Sequence, residues 1–166
     1  MQNKPLPYQN NNLLMKDWTK KMIQAYTDAS FDKENNIAGI GIVIINGQKR
    51  RDYALFVPCR TANAGELFAI QLANILTHGQ ATIYTDSQTA YQYIINGVGE
   101  KKRTREQYLN HLECKYWAYQ IKRSTNISVI KVKAHKRHYN KDSANNMVAD
   151  SLAFLGRSRY NDLHGR

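Results

Sequence analysis

The chain is poor in cysteine, in acidic residues and in long apolar runs. Its two cysteines, Cys59 and Cys114, cannot build a disulfide framework, and neither belongs to a C-x-x-C pair. Both are expected to be reduced thiols in a cytoplasmic setting. No apolar run approaches the roughly 18 residues that a membrane span needs. The opening MQNKPLPYQNNNLLMKDW has no apolar core of the kind a secretory signal carries. No internal repeat of solenoid length occurs, which excludes a stacked array. Acids are outnumbered by bases, 13 Asp and Glu against 24 Lys and Arg, for a net charge of +11 and a pI near 9.7. Such an excess favours a polyanionic partner, and nucleic acid leads that class.

What is present suits one globular unit. Hydrophobic residues make up 42% of the 166 and charged residues 22%, enough for a sizeable core. Residues 1 to 20 are polar and Asn-rich, with Pro5 and Pro7, and read as a flexible N-terminal arm. Residues 21 to 166 are expected to form a single domain. A monomer with no obligatory protein partner and no membrane partner is the default expectation.

Hydrophobic periodicity divides the rest. A strand is predicted in KKMIQAYTD, ending on Asp28, followed by strands in IAGIGIVIING and RRDYALFVP. Short turns between the three imply antiparallel pairing. GELFAIQLANIL has the spacing of an apolar helix facing a sheet, through Leu67, Ile70, Leu72, Ala73 and Leu76. QATIYTD reads as a short buried strand. SQTAYQYIING reads as a helix capped in the Asp86–Ser87 region and ended by Gly97. The basic run GEKKRTREQ leads into YLNHLECKYWAYQIKR, where Leu109, Leu112, Tyr116 and Tyr119 keep helical spacing. NISVIKVKA is the last predicted strand, HKRHYNKDSANN a basic loop, and MVADSLAFLG a helix ended by Gly156. Helical crossovers precede the fourth and fifth strands, so both should join in parallel. The predicted fold class is α/β, a mixed five-stranded sheet of three antiparallel strands and then two parallel ones, flanked by helices.

That order brings particular acids together. Asp28 and Asp86 each end a predicted strand, and parallel neighbours would hold them side by side, beyond the carboxyl ends where α/β sites form. Glu66 begins the covering helix and Asp150 lies in the last one; neither suits an apolar face. Two like charges about 4 Å apart repel by roughly 4 kcal/mol at an effective dielectric of 20. Crowded carboxylates therefore take up protons or bind cations. An all-oxygen donor set favours Mg²⁺ or Mn²⁺ over zinc. A pair of such ions is a known device for phosphodiester hydrolysis. Read singly, each acid is equally a helix cap or a solvated side chain, as Asp86 before Ser87 illustrates.

The phrases YTDAS, GELFAI, YTDSQ and VADSLA, in this order and in these contexts, resemble the type-1 ribonucleases H. The resemblance runs from about residue 22 to residue 156. Its most specific parts are TDSQ and the N-x-x-A-D-x-L-A phrase from Asn146 to Ala153. It implies a ribonuclease H-like fold and endonucleolytic hydrolysis of the RNA strand of an RNA–DNA hybrid, leaving 5′-phosphomonoesters. Two Mg²⁺ ions, or Mn²⁺, are the implied cofactors. Asp28, Glu66, Asp86 and Asp150 match the family's metal-binding, catalytic carboxylates. Asn63 and Gln88 match residues that read the hybrid's minor groove, and Thr61 matches a position that holds a DNA-strand phosphate. Asn63 also suits plain helix capping. Amide side chains beside the acids fit a substrate marked by its 2′-hydroxyl. His135, with His138 as the other choice, stands where the family places a catalytic loop histidine. Lys101, Lys102, Arg103 and Arg105 fall where many members carry a basic protrusion that grips the hybrid, and a solvated basic linker is the plainer alternative. Trp117 suits either a DNA-strand channel or the core. The turn FDKENN, Ala62 and Met147 depart from the family pattern, which bears on substrate grip more than on chemistry. Two other readings keep the fold: a junction resolvase-like nuclease of the same superfamily, and a non-catalytic hybrid-binding module.

Overall fold

The stretch IAGIGIVIIN is buried along eight of its ten residues, because both faces of the strand it forms are covered. It is β2 (Ile37–Asn46) of a five-stranded sheet in the order β3-β2-β1-β4-β5. β1 (Ile23–Asp32) and β3 (Lys49–Pro58) flank it antiparallel, and β4 (Ala81–Thr85) and β5 (Ser128–Lys131) extend the sheet in parallel. The computed structural model describes residues 23–97, 103–124, 127–133 and 140–165. The N-terminal arm, Lys101, Lys102, His135 and His138 lie outside these residues.

Among the described residues there are four helices. α1 (Ala62–Leu76), α2 (Gln88–Ile95) and α3 (Arg105–Lys122) belong to one side of the sheet, where α1 packs on β1 and β2 and α3 packs on α1. α4 (Lys141–Leu163) covers β1, β2 and β3 from the other side. The main core lies under α1 and includes Ala25, Ile40, Ile42, Leu67, Ile70 and Ile83, while Tyr26, Val43 and Ala149 form a smaller one under α4. Strand alternation splits β2 between them, Ile40, Ile42 and Ile44 facing α1, and Gly39, Gly41 and Val43 facing α4. None of the described helices is long and apolar enough to cross a membrane.

Several predicted boundaries move. β1 does not end at Asp28. It continues to Asp32 because its antiparallel partner does, Asp32 opposing Ile37, although pairing with β4 stops at Thr27. β5 is only four residues long, because the ladder it joins ends at Thr85. α4 begins inside the predicted basic loop and runs through Gly156 rather than ending there. A Cβ at Gly156 would stand 2.1 Å from the Leu55 carbonyl oxygen, so this glycine serves close approach to β3, not helix termination. In α3 the predicted stripe Leu109, Leu112, Tyr116 and Tyr119 is exposed, and the buried residues are His111, Cys114, Ala118 and Ile121. Small and polar side chains win that face because α3 packs closely on α1. His111 is satisfied there by a 2.9 Å hydrogen bond with the Tyr93 hydroxyl.

Candidate metal centre

Parallel pairing of β1 with β4 ends at Thr27 opposite Thr85, so Asp28 and Asp86 each follow at the same end of the sheet. Asp86 does not cap α2. Ser87 does, its hydroxyl accepting from the Ala90 amide at 3.2 Å. This leaves the Asp86 carboxylate to the cleft. α1 starts at Thr61, whose hydroxyl accepts from the Ala64 amide, and its first turn comes down on the sheet beside β1. Gly65 allows this, because a Cβ there would meet that of Ala38 at 2.8 Å. The next residue, Glu66, is thereby delivered to Asp28.

One oxygen from each of Asp28, Glu66 and Asp86 lies within 4.8 Å of the others. The surroundings offer these acids little compensation. The Ala29 amide is shared, donating to Asp28 Oδ1 at 2.8 Å and to Glu66 Oε1 at 3.3 Å. Glu66 Oε2 is buried, and no N–H or O–H donor of the described residues reaches it. Burial and then the Asp86 charge push Asp28 up to about 7, from an ordinary 3.8. Burial and then the Asp28 charge hold Glu66 well above the usual carboxylate range. Neighbouring carboxylates thus oppose the ionisation of Asp28 and of Glu66 alike. At separations of no more than 4.8 Å each ionised pair costs about 3.5 kcal/mol or more at an effective dielectric of 20.

Asp150 lies apart from this trio, exposed on α4, yet near enough for its charge to raise Asp28. The close seat of α4 explains that proximity. Gly41 opposes Asp28 in the β1–β2 ladder, and a Cβ on it would fall 1.9 Å from the carbonyl oxygen of Ala149. Gly39 meets Ala153 in the same way. The helix backbone thus rests on the strand backbone one residue before Asp150.

An orphaned buried oxygen within a crowded all-oxygen set fits a hard divalent cation. Asp28, Glu66 and Asp86 are the residues that would hold it, with Asp150 beside them.

The other predicted site residues surround the cleft unevenly. Asn63 is partly buried in the first turn of α1, where Thr61, and not Asn63, is the cap. Gln88 is exposed at the start of α2, next to the Ser87 cap. Arg103 is partly buried and acts electrostatically on Tyr93 and His111, while Arg105 is exposed at the start of α3. Trp117 packs edge-on against Phe68 and Tyr116 at the margin of the core. Sequence reasoning missed Tyr26, which hydrogen-bonds across to α4, although the doubled phrase Y-T-D was there to find it.

A family model described as RNase H matches residues 20–158. The chain belongs to the RNase H family. Membership marks it as a nuclease, a hydrolase that acts on nucleic acid, and accounts for both the sheet order and the acidic cleft. The fold is similar to the crystal structure of RNase H1 from the halophilic archaeon Halobacterium salinarum NRC-1, at a TM-score of 0.57 and 17% identity. That likeness covers 83% of this chain and 98% of the archaeal one. No curated protein matches the chain. Within the RNase H frame, Asp28 and Asp86 each follow the last parallel-paired residue of β1 and β4, and Glu66 reaches them from α1.

Proposed function

We propose that this RNase H cuts the RNA strand of RNA–DNA hybrids, with Asp28, Glu66, Asp86 and Asp150 holding two divalent cations, Mg²⁺ or Mn²⁺. The observation that carries the reading is the convergence of Asp28, Glu66 and Asp86 around a buried Glu66 oxygen with no donor. Bound there, a cation pair supplies Lewis acidity for the attacking water and for the leaving 3′-oxygen. Everything else falls to the chain. Asp28 and Asp86 present oxygens from a rigid strand edge, so the reacting phosphate meets a preorganised site. Glu66, anchored through Oε1 to the Ala29 amide, keeps Oε2 directed into the cleft. Asp28 and Glu66 would have to be ionised to hold such a cation, so its binding would release protons and depend on pH.

Substrate grip falls to polar and basic groups around the acids. Thr61 at the start of α1 is assigned to a DNA-strand phosphate, and Asn63 and Gln88 to the minor groove, where the 2′-hydroxyl separates RNA from DNA. Lys101, Lys102, Arg103 and Arg105 are assigned to backbone phosphates, and His135 to the attacking water or the departing product. A chain of net charge +11 supplies the attraction that brings the polyanion to an acidic cleft.

The test is a cleavage panel of labelled hybrid, duplex DNA, duplex RNA and four-way junction, each with Mg²⁺, Mn²⁺ or chelator. Cutting confined to the RNA strand of the hybrid, and abolished by chelator, is the expected result. An intact hybrid beside a cleaved positive control removes the proposal, and preferential junction cleavage replaces it with a resolvase-like activity.

A further inference from the structure

The doubled Y-T-D phrase places Tyr26 and Tyr84 two residues before the acids Asp28 and Asp86. Strand alternation puts Tyr26 on the same sheet face as Asp28. The two tyrosines are direct partners in the parallel ladder, and their rings stack with centroids 4.7 Å apart and planes 15° from parallel. Tyr26 is fully buried, and its hydroxyl donates a 2.6 Å hydrogen bond to Asp142 Oδ1 in the first turn of α4. Short bonds of this kind to a carboxylate are the strong ones. Tyr84 is held in turn by Gln24, whose amide donates to its hydroxyl at 3.3 Å.

On α4, residues 142, 145, 146, 149 and 153 follow one stripe at helical spacing. Asn145, Asn146, Ala149 and Ala153 on that stripe are buried. Ala149 and Ala153 rest on Gly41 and Gly39, which fixes the middle of the helix. The Tyr26 hydroxyl secures the same stripe two turns earlier, on the strand that carries Asp28. Asp150 lies between the grip at Asp142 and the far end of the glycine seam, pointing off the stripe. With a side-chain radius of about 6 Å, a roll of α4 by about 10° displaces such a carboxylate by about 1 Å. A misplacement of that size is enough to cost a catalytic site one to two orders of magnitude.

We infer that Tyr26 is a positioning residue, which through Asp142 fixes the roll of α4 and so the placement of Asp150 against Asp28 and Asp86. This rests on the proposed hybrid cleavage. Tyr26→Phe keeps the ring stacked on Tyr84 and removes only the hydroxyl. Asp142→Ala removes the acceptor, and Asp142→Asn retains an acceptor oxygen. Expected for Tyr26→Phe and Asp142→Ala is a fall in kcat of about tenfold or more, with KM for hybrid changed less than about twofold. Calorimetric titration of the substrate-free proteins with Mn²⁺ should show affinity weakened by about tenfold in the same two variants. Asp142→Asn should stay close to wild type in both measurements. All assays are run well below each variant's melting temperature, so that a loss reflects placement rather than unfolding. Wild-type kcat and Mn²⁺ affinity in Tyr26→Phe and Asp142→Ala overturn the inference and leave the cleavage reading intact. So does an Asp142→Asn variant as impaired as Asp142→Ala. A wild-type protein that neither binds Mn²⁺ nor cuts hybrid overturns the cleavage reading and takes this inference with it.

Discussion

Replacing Asp28 by Asn should make the cation-free protein more stable at alkaline pH while destroying its chemistry. An acid whose folded pKa lies above its unfolded one binds its proton more tightly in the native state. Stability is therefore full below the unfolded pKa and falls as pH rises toward the folded value. For Asp28 the window runs from the ordinary 3.8 to about 7. At 1.36 kcal/mol for each pH unit of that window, the cost of ionising Asp28 is on the order of 4 kcal/mol above pH 7. For a domain of this size that corresponds to a melting temperature lower by roughly 8–16 °C. Asp28→Asn removes the group and also one of the charges that raise Glu66. The assay is thermal unfolding in chelator from pH 4 to pH 8.5, read as variant minus wild type. The difference should be near zero at pH 4 and grow to on the order of 10 °C by pH 8. Added Mg²⁺ or Mn²⁺ should narrow it, raising the wild type by about 2.7 kcal/mol at one hundred times Kd and the variant by far less. A difference that stays flat across this range, with both proteins folded, would refute the claim that the three acids are crowded in a desolvated cleft.

Asp86→Asn should lower cleavage by more than about 100-fold while hybrid binding, measured in chelator, is retained or improved, because one repelling charge is gone. Gly41→Ala places a Cβ 1.9 Å from the Ala149 carbonyl oxygen and should lower stability by about 1–3 kcal/mol in denaturant titration, with cleavage falling at temperatures where the fold persists. Hybrid affinity should drop by about 10³-fold between 50 and 200 mM salt for six phosphate contacts, checked by anisotropy; a flat salt response removes the phosphate-gripping role of the basic segments.

Much of the sheet and the acid trio was legible in the sequence, and the reasons are local. Isoleucine and glycine alternate in β2, turns are short, and helical spacing begins at Gly65, so strand count and direction followed from periodicity and crossover rules. Asp28, Glu66 and Asp86 stood out because each interrupts an apolar pattern at an element's edge. What was not legible depended on partners distant in sequence. The end of β1 is set by β2 and not by its own residues. Gly156 looks like a helix stop until Leu55 of β3 is placed against it. The face of α3 was misread because leucines and tyrosines at helical spacing suggest a core stripe, whereas close packing on α1 selected Cys114 and Ala118 and left Leu112 and Tyr116 outside. Tyr26 was not singled out, since nothing within one strand reveals an acceptor 116 residues away.

At the seam between α4 and the sheet, main chain lies directly on main chain at Gly39, Gly41 and Gly156. Side chains can turn aside when a neighbour grows, but a carbonyl in a helix cannot, so the ground beneath the acids has almost no give. Thr61, Asn63, Gln88 and Arg105, assigned to the substrate's backbone and bases, stand instead at helix starts. Selectivity for the nucleic acid can therefore be retuned at the rim, while the geometry that performs hydrolysis stays anchored to a backbone that tolerates no added carbon.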